Sequence, residues 1–124
     1  PVAGAAAELS RRGFRIVVDD FGAGHASLAG LAGMKISGLK IDRSLIRTVE
    51  DDRARHVVAA VAGLAKGLDL SVAAEGVETA EQFALLKRLG CDVAQGHAIA
   101  RPMDADALRR WIADYGAAPA SRLA

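Results

Sequence analysis

Residues 70–90 read Leu70-Ser71-Val72-Ala73-Ala74-Glu75-Gly76-Val77-Glu78-Thr79-Ala80-Glu81-Gln82-Phe83-Ala84-Leu85-Leu86-Lys87-Arg88-Leu89-Gly90, and this stretch spells out one strand followed by one helix. Leu70 to Ala74 is a short apolar run, which predicts a strand. From Thr79 the period changes. Thr79 and Gln82 have the Thr-x-x-Gln spacing of a capping box, in which a hydroxyl and a carboxamide take up backbone N–H groups left unpaired by the first helical turn. Phe83, Leu86 and Leu89 share one face, and Gly90 stands where a left-handed C-terminal cap belongs, so the spacing predicts a helix over 79–89. Two carboxylates, Glu75 and Glu78, lie between the two elements.

The same alternation extends to both sides. Strands are expected at Phe14 to Val18, Ile36 to Ile41 and Asp92 to Gln95. Helices are expected at Ala3 to Arg12, more weakly at the Gly-rich Ala26 to Gly33, and around Val57, Val58, Val61, Leu64, Ala65 and Leu68, ending near Gly67. A last helix, Asp104 to Tyr115, carries Leu108, Trp111, Ile112 and Tyr115 at i, i+3, i+4 and i+7, the spacing of a buried stripe. The order is one helix, then four βα units. Short links between alternating strands and helices imply a parallel sheet with right-handed crossovers, hence an α/β fold. Ile16-Val17-Val18 and Val72-Ala73-Ala74 read as strands covered on both faces. An open doubly wound sheet and part of a (βα)8 barrel both fit. A barrel takes about 250 residues, and 124 residues with four units supply half of one. Pro1 as first residue, with a helix already under way, makes the chain read as a fragment of a longer gene product. A half-barrel would leave two sheet edges and an inner face unpaired.

Composition narrows the function classes. A hydrophobic fraction of 52% with 25% charged residues is that of an ordinary globular domain. The net charge of +1 comes from scattered, nearly balanced residues, with no basic block of the kind that binds duplex nucleic acid or anionic membrane. The longest apolar stretch, Val57 to Ala65, is far short of the ~20 residues a membrane-spanning helix needs. A single cysteine, Cys91, reads as a small buried hydrophobe in a reducing, cytoplasmic setting.

In parallel α/β proteins ligands bind beyond the carboxyl ends of the strands, and all four expected ends are polar. Asp19 and Asp20 follow the first strand. Lys40 follows Leu39 near the end of the second, with Asp42 two positions on. Glu75 ends the third, with Glu78 three further, and Gln95 ends the fourth. Each residue alone has an ordinary reading: Asp20 as a helix cap, Lys40 as a solvated lysine, Glu75 as a carboxylate favourably placed at a helix start. Capping needs alone do not account for all four ends together. Oxygen donors without a Cys/His cluster favour a hard cation such as Mg²⁺ or Mn²⁺. His25, His56 and His97 do not form a ligand set by their spacing.

Four motifs in this order resemble those of bacterial EAL-domain cyclic di-GMP phosphodiesterases: Asp19-Asp20-Phe21-Gly22-Ala23-Gly24, Leu39-Lys40-Ile41-Asp42-Arg43-Ser44, Ala74-Glu75-Gly76-Val77-Glu78-Thr79, and Gln95-Gly96 with Arg101-Pro102. The resemblance implies a TIM-like (βα)8 barrel, with residues 1–124 as its C-terminal half, strands five to eight. It also implies hydrolysis of cyclic di-GMP to the linear dinucleotide pGpG with two Mg²⁺ or Mn²⁺ ions, by in-line attack of an activated water on phosphorus. By the same resemblance Asp19 is a ligand shared by both metals and Asp20 a ligand to the second, while Glu75 lies at the metals or the attacking water. Lys40 holds that water and offsets charge on the phosphoryl oxygens. Gln95 completes the polar shell, Glu78 anchors the loop after Asp20, and Asp42, Arg101 and Pro102 serve substrate binding or loop anchoring. The 20–25 loop contributes to a homodimer in the family. Ala23, His25 and Ile99 stand where the family has Thr, an aromatic residue and Phe, which bears on loop ordering and guanine contacts more than on the metals. The Glu-Ala-Leu motif and the further ligands of the first four strands are absent from this chain. Two other classes of function compete: a degenerate module that binds the dinucleotide or a protein without hydrolysis, and a free-standing half-barrel whose copies pair about a two-fold axis.

Overall fold

The computed structural model describes residues 2–23 and 27–117. The elements are α1 (Val2–Arg11), β1 (Val17–Phe21), α2 (Leu28–Gly33), β2 (Gly38–Ile41), α3 (Arg43–Arg47), α4 (Asp52–Gly67), β3 (Ser71–Glu75), α5 (Ala80–Leu89), β4 (Val93–Gln95) and α6 (Ala105–Ala117). The strands form one parallel sheet in the order β1-β2-β3-β4. That is the α/β arrangement of part of a barrel, each strand paired with the next in sequence.

Side-chain alternation divides the sheet into two unlike faces. Leu39, Ile41, Val72 and Ala74 are fully or almost fully buried, and they join Val58 and Ala65 of α4 and Leu86 of α5 in the core. The opposite face carries Val17 and Asp19, then Lys40, Ala73 and Glu75, then Val93 and Gln95. Val17 is 47% exposed and Val93 54%. The expectation of strands covered on both faces is thus corrected: helices cover one face only, and the other is open at its apolar floor and polar at its rim.

The capping box forms with a variation. The Thr79 hydroxyl accepts from Gln82 N at 3.1 Å, but the Gln82 carboxamide oxygen accepts from Glu78 N at 2.9 Å, one residue before the cap. Gln82 is itself buried, so it ties the backbone of Glu78 to the helix. Gly90 closes α5 at φ 100°.

Two elements depart from expectation. α3 was not anticipated, since five residues cannot display a helical period. It is started by Asp42, whose carboxylate accepts from Ser44 N at 2.9 Å, and it is held by Ile46, which is fully buried, with Val49 just beyond it. In α6 the expected buried stripe is open: Leu108 is 43%, Ile112 57% and Tyr115 38% exposed. Trp111 is half-buried and stacks on Tyr115 at 4.5 Å between centroids. The pattern records a face made for packing, and the described residues do not supply what would cover it. None of their helices is long and apolar enough to cross a membrane.

Candidate functional site

β1 begins at Val17, three residues later than the apolar run suggested, so Asp19 and Asp20 lie inside the strand and not beyond it. Their placement depends on an irregularity. Val18 pairs with Leu39 and Phe21 with Ile41, so three steps along β1 match two along β2, and one residue of β1 is extra. Such a bulge re-aims side chains that would otherwise point to opposite faces. Asp20 takes the left-handed conformation, φ 54°, which Asp tolerates better than most residues. The Asp19 carboxylate accepts from Asp20 N at 2.8 Å. Adjacent carboxylates therefore converge, and oxygens of Asp19, Asp20 and Glu75 all lie within 4.8 Å of one another.

Glu75 and Gln95 end their strands as expected and stand side by side in the β3/β4 register. Lys40, the third of four residues in β2, sends its Nζ to 3.5 Å from Glu75 Oε2, both side chains about three-quarters buried. One ammonium thus faces three carboxylates. The carboxyl of Asp20 is held above its usual range, first by the charge of Asp19, then by partial loss of hydration and by Asp42 and Glu75, with Lys40 opposing. Asp42 moves the other way, because the hydrogen bonds of Ser44 favour its anion. A group of oxygen donors with surplus negative charge fits a hard divalent cation, which would relieve the repulsion that raises Asp20.

The remaining expected residues are distributed around this cluster. Asp42 caps α3, and Glu78 is exposed on the loop fixed by Gln82. Arg101 and Pro102 are exposed and line a cavity of about 460 Å³ that also reaches Glu75, Glu78 and Gln95. Gly24, His25 and Ala26, with the loop contact expected of His25, lie outside the described residues. His56 bonds through Nδ1 to Asp52 O at 2.6 Å on α4, and His97 faces the cavity.

Gly96 stands in the sequence only as part of the Gln95-Gly96 motif, yet it lies where the loops that follow Glu75 and Gln95 meet. Val77 N donates to Gln95 O and Ala98 N to Val77 O, both at 3.0 Å. At Gly96, φ is 156°, and a Cβ there would lie 2.1 Å from Val77 O. Only a residue without a side chain permits this contact. Arg43 and Trp111 also line the cavity. In the sequence Arg43 stands only within the Leu39–Ser44 motif and Trp111 within the apolar stripe of the last helix, and neither context marks it as a site residue.

The sheet order and the rim match a known domain. Residues 3–102 match the EAL domain family, and the chain belongs to that family. The bifunctional diguanylate cyclase/cyclic di-GMP phosphodiesterase MucR of Pseudomonas aeruginosa is 43% identical over 109 residues, which are 86% of this chain and 16% of MucR. Its phosphodiesterase structure in complex with c-di-GMP superposes with a TM-score of 0.80 over 86% of this chain and 43% of that one, at 41% identity. The EAL domain of Mycobacterium smegmatis DcpA gives a TM-score of 0.84 at 32% identity, over 91% of this chain and 51% of that domain. Klebsiella pneumoniae BlrP1, in a complex with manganese and c-di-GMP, gives 0.74 at 32% identity, over 80% of this chain and 26% of that one. The chain therefore spans about half of a solved EAL domain and a smaller part of the curated proteins it matches.

Proposed function

We propose that the chain is the C-terminal half of an EAL barrel, strands five to eight, in a protein that hydrolyses cyclic di-GMP to linear pGpG in the bacterial cytoplasm. The observation that carries this reading is the convergence of Asp19, Asp20 and Glu75 within 4.8 Å, with Lys40 paired to Glu75, on the open rim of the sheet. A binding-only module has no need to crowd three carboxylates at the cost of raising the pKa of one of them.

In this reading Asp19, Asp20 and Glu75 hold two Mg²⁺ or Mn²⁺ ions together with ligands from the other half of the barrel. When bound, those ions activate the attacking water and stabilise the entering and leaving oxygens of an in-line displacement. Lys40, kept in place by Glu75, directs its ammonium at the phosphoryl oxygens, where negative charge grows in the transition state. Gln95 supplies a carboxamide on the same rim. Glu78, its backbone tied by Gln82, and the Asp42 cap hold the loops on either side. Arg101 and Pro102 border the path of the dinucleotide. The open inner face, the two sheet edges and the exposed stripe of α6 are the surfaces against which the other half of the barrel packs, and the loop after Asp20 supports a homodimer contact.

The test is direct. The purified protein that carries this chain is incubated with cyclic di-GMP and either Mg²⁺ or Mn²⁺, and the products are separated by chromatography. Linear pGpG that appears with metal and not with chelator is the expected result. Tight binding with no product under any divalent cation would replace hydrolysis by the binding-module reading.

A further inference from the structure

Gln82 is the one polar side chain buried among the described residues, at 7% exposure. Burying a carboxamide is unfavourable unless its polar atoms are paired, and the partner of this one is unusual. In a regular capping box the side chain three residues into the helix accepts from the backbone N–H of the cap itself. Here the cap is Thr79, yet the Gln82 oxygen accepts from Glu78 N at 2.9 Å, one residue outside the helix start. A group suited to the helix is turned instead on the loop before it.

That loop continues the end of β3. Gly76, Val77 and Glu78 separate Glu75 of the carboxylate cluster from the cap of α5, and each is held by a different element. The stem of Arg43, on α3, lies against Gly76, where a Cβ would come 2.6 Å from Arg43 Cγ, and Gly76 itself is left-handed at φ 78°. Val77 is fully buried, and its N–H and C=O pair with Gln95 O and Ala98 N, both at 3.0 Å. Glu78 is held by Gln82. The backbone that joins two residues lining one cavity, Glu75 and Glu78, is therefore clamped from three sides.

We infer that Gln82 is a positioning residue for the metal site: its carboxamide fixes the backbone of Glu78 and, through the clamped loop, holds Glu75 in place against Asp19 and Asp20. This role rests on the reading of the rim as a divalent-metal phosphodiesterase site. Gln82 does not line the cavity and acts through the main chain alone. Groups that support metal ligands in this way typically contribute about 10–100-fold to metal affinity or activity. Because Arg43 and the β4 loop keep their hold when Gln82 is replaced, the low end of that range is expected. Thr79 separates positioning from capping, since its hydroxyl accepts from Gln82 N at 3.1 Å and so serves the helix without holding Glu78.

The experiment measures Mn²⁺ affinity of the metal-free whole protein by calorimetry, together with hydrogen–deuterium exchange over residues 76–79. Gln82→Met keeps the length of the side chain and removes the carboxamide acceptor. It is expected to weaken Mn²⁺ binding by about tenfold and to speed exchange over 76–79. Gln82→Ala is read beside it, with the same expectation, so that misfit of the longer chain is not taken for loss of the bond. Gln82→Glu restores an acceptor oxygen at the same reach and is expected to return both readouts close to the parent. Thr79→Ala is expected to lower the thermal midpoint, as loss of a cap does, with Mn²⁺ affinity and exchange over 76–79 unchanged. Parent-like Mn²⁺ affinity in both Gln82→Met and Gln82→Ala, or an equal loss in Thr79→Ala, would overturn the role and leave Gln82 a helix cap. A parent protein that binds Mn²⁺ but turns over no cyclic di-GMP would overturn the phosphodiesterase reading instead, and the metal and exchange readouts would still decide the role of Gln82.

Discussion

Replacing Gly96 by Ala tests whether the site depends on backbone contact between two loops. The added methyl carbon would lie 2.1 Å from Val77 O and 2.4 Å from Val77 N, and these are main-chain atoms that cannot rotate away as a side chain can. To make room, the loop after β3 and the loop after β4 must separate, at the expense of the two 3.0 Å hydrogen bonds Val77 N to Gln95 O and Ala98 N to Val77 O. Two backbone hydrogen bonds contribute about 1 kcal/mol each, and holding an L-residue at this φ costs about 1–3 kcal/mol more. The sum, about 3–5 kcal/mol, is a large share of a typical stability of about 5–15 kcal/mol. Urea denaturation of the whole protein should show this loss, and Mn²⁺ titration should show weakened binding, because Glu75 and Gln95 move with the loops. Gly63→Ala is the control: this glycine lies within α4 with open space where its Cβ would be, so the change should stabilise by about 0.5–1 kcal/mol. If Gly96→Ala lost less than about 0.5 kcal/mol, the range of a neutral surface substitution, and bound Mn²⁺ normally, the loops would not be coupled as described.

Three further outcomes follow from the same geometry. Asp19→Asn removes the largest cause of the raised Asp20 pKa, so a carboxyl-detected NMR titration should find Asp20 titrating at lower pH in the variant; an unmoved or higher midpoint would contradict the assigned cause. In the parent protein, protons compete for Asp20 at higher pH than for an ordinary carboxylate, and metal affinity should decline as pH falls into that raised range. Burial, with help from Asp92, pushes the Cys91 thiol up to about 11, so its alkylation at pH 8 should be about 100-fold slower than that of a free cysteine; a rate within a few-fold would mean that the thiol is open to solvent. The 124-residue chain on its own should form dimers or larger species at micromolar concentration, since Val17, Val93 and the α6 stripe are exposed and apolar area contributes about 25 cal/mol per Å² when covered; light scattering at the monomer mass with concentration-independent unfolding would rule this out.

What could be read in the sequence was whatever depends on local period and capping. The strand-to-helix unit of residues 70–90 and the Gly90 cap follow from spacing, because hydrophobic period and cap chemistry act within a few residues. The rim also followed, since Glu75 and Gln95 close strands whose apolar runs end where they should. The bulge did not: Asp19 and Asp20 looked like residues beyond a strand, and only pairing with β2 reveals the extra residue that turns both carboxylates to one side. Nor did α3, which is too short for a period and is held by Ile46 and Val49 in the core. The stripe on α6 was read correctly as apolar but wrongly as buried, because periodicity identifies a face and not the surface that covers it. Gly96 and Gly76 carried no signal beyond their identity, for close backbone approach involves residues far away in the chain.

The central claim, that this rim is part of a metal-dependent phosphodiesterase site, is tested most directly by the turnover of Asp19→Asn in the whole protein at saturating Mg²⁺ or Mn²⁺. Asp19 is exposed on the rim, so circular dichroism should show the fold intact. Turnover of cyclic di-GMP should fall by about 100-fold or more, the loss of a contact that contributes several kcal/mol to transition-state stabilisation. A well-folded variant that turns over at close to the parent rate would contradict the account.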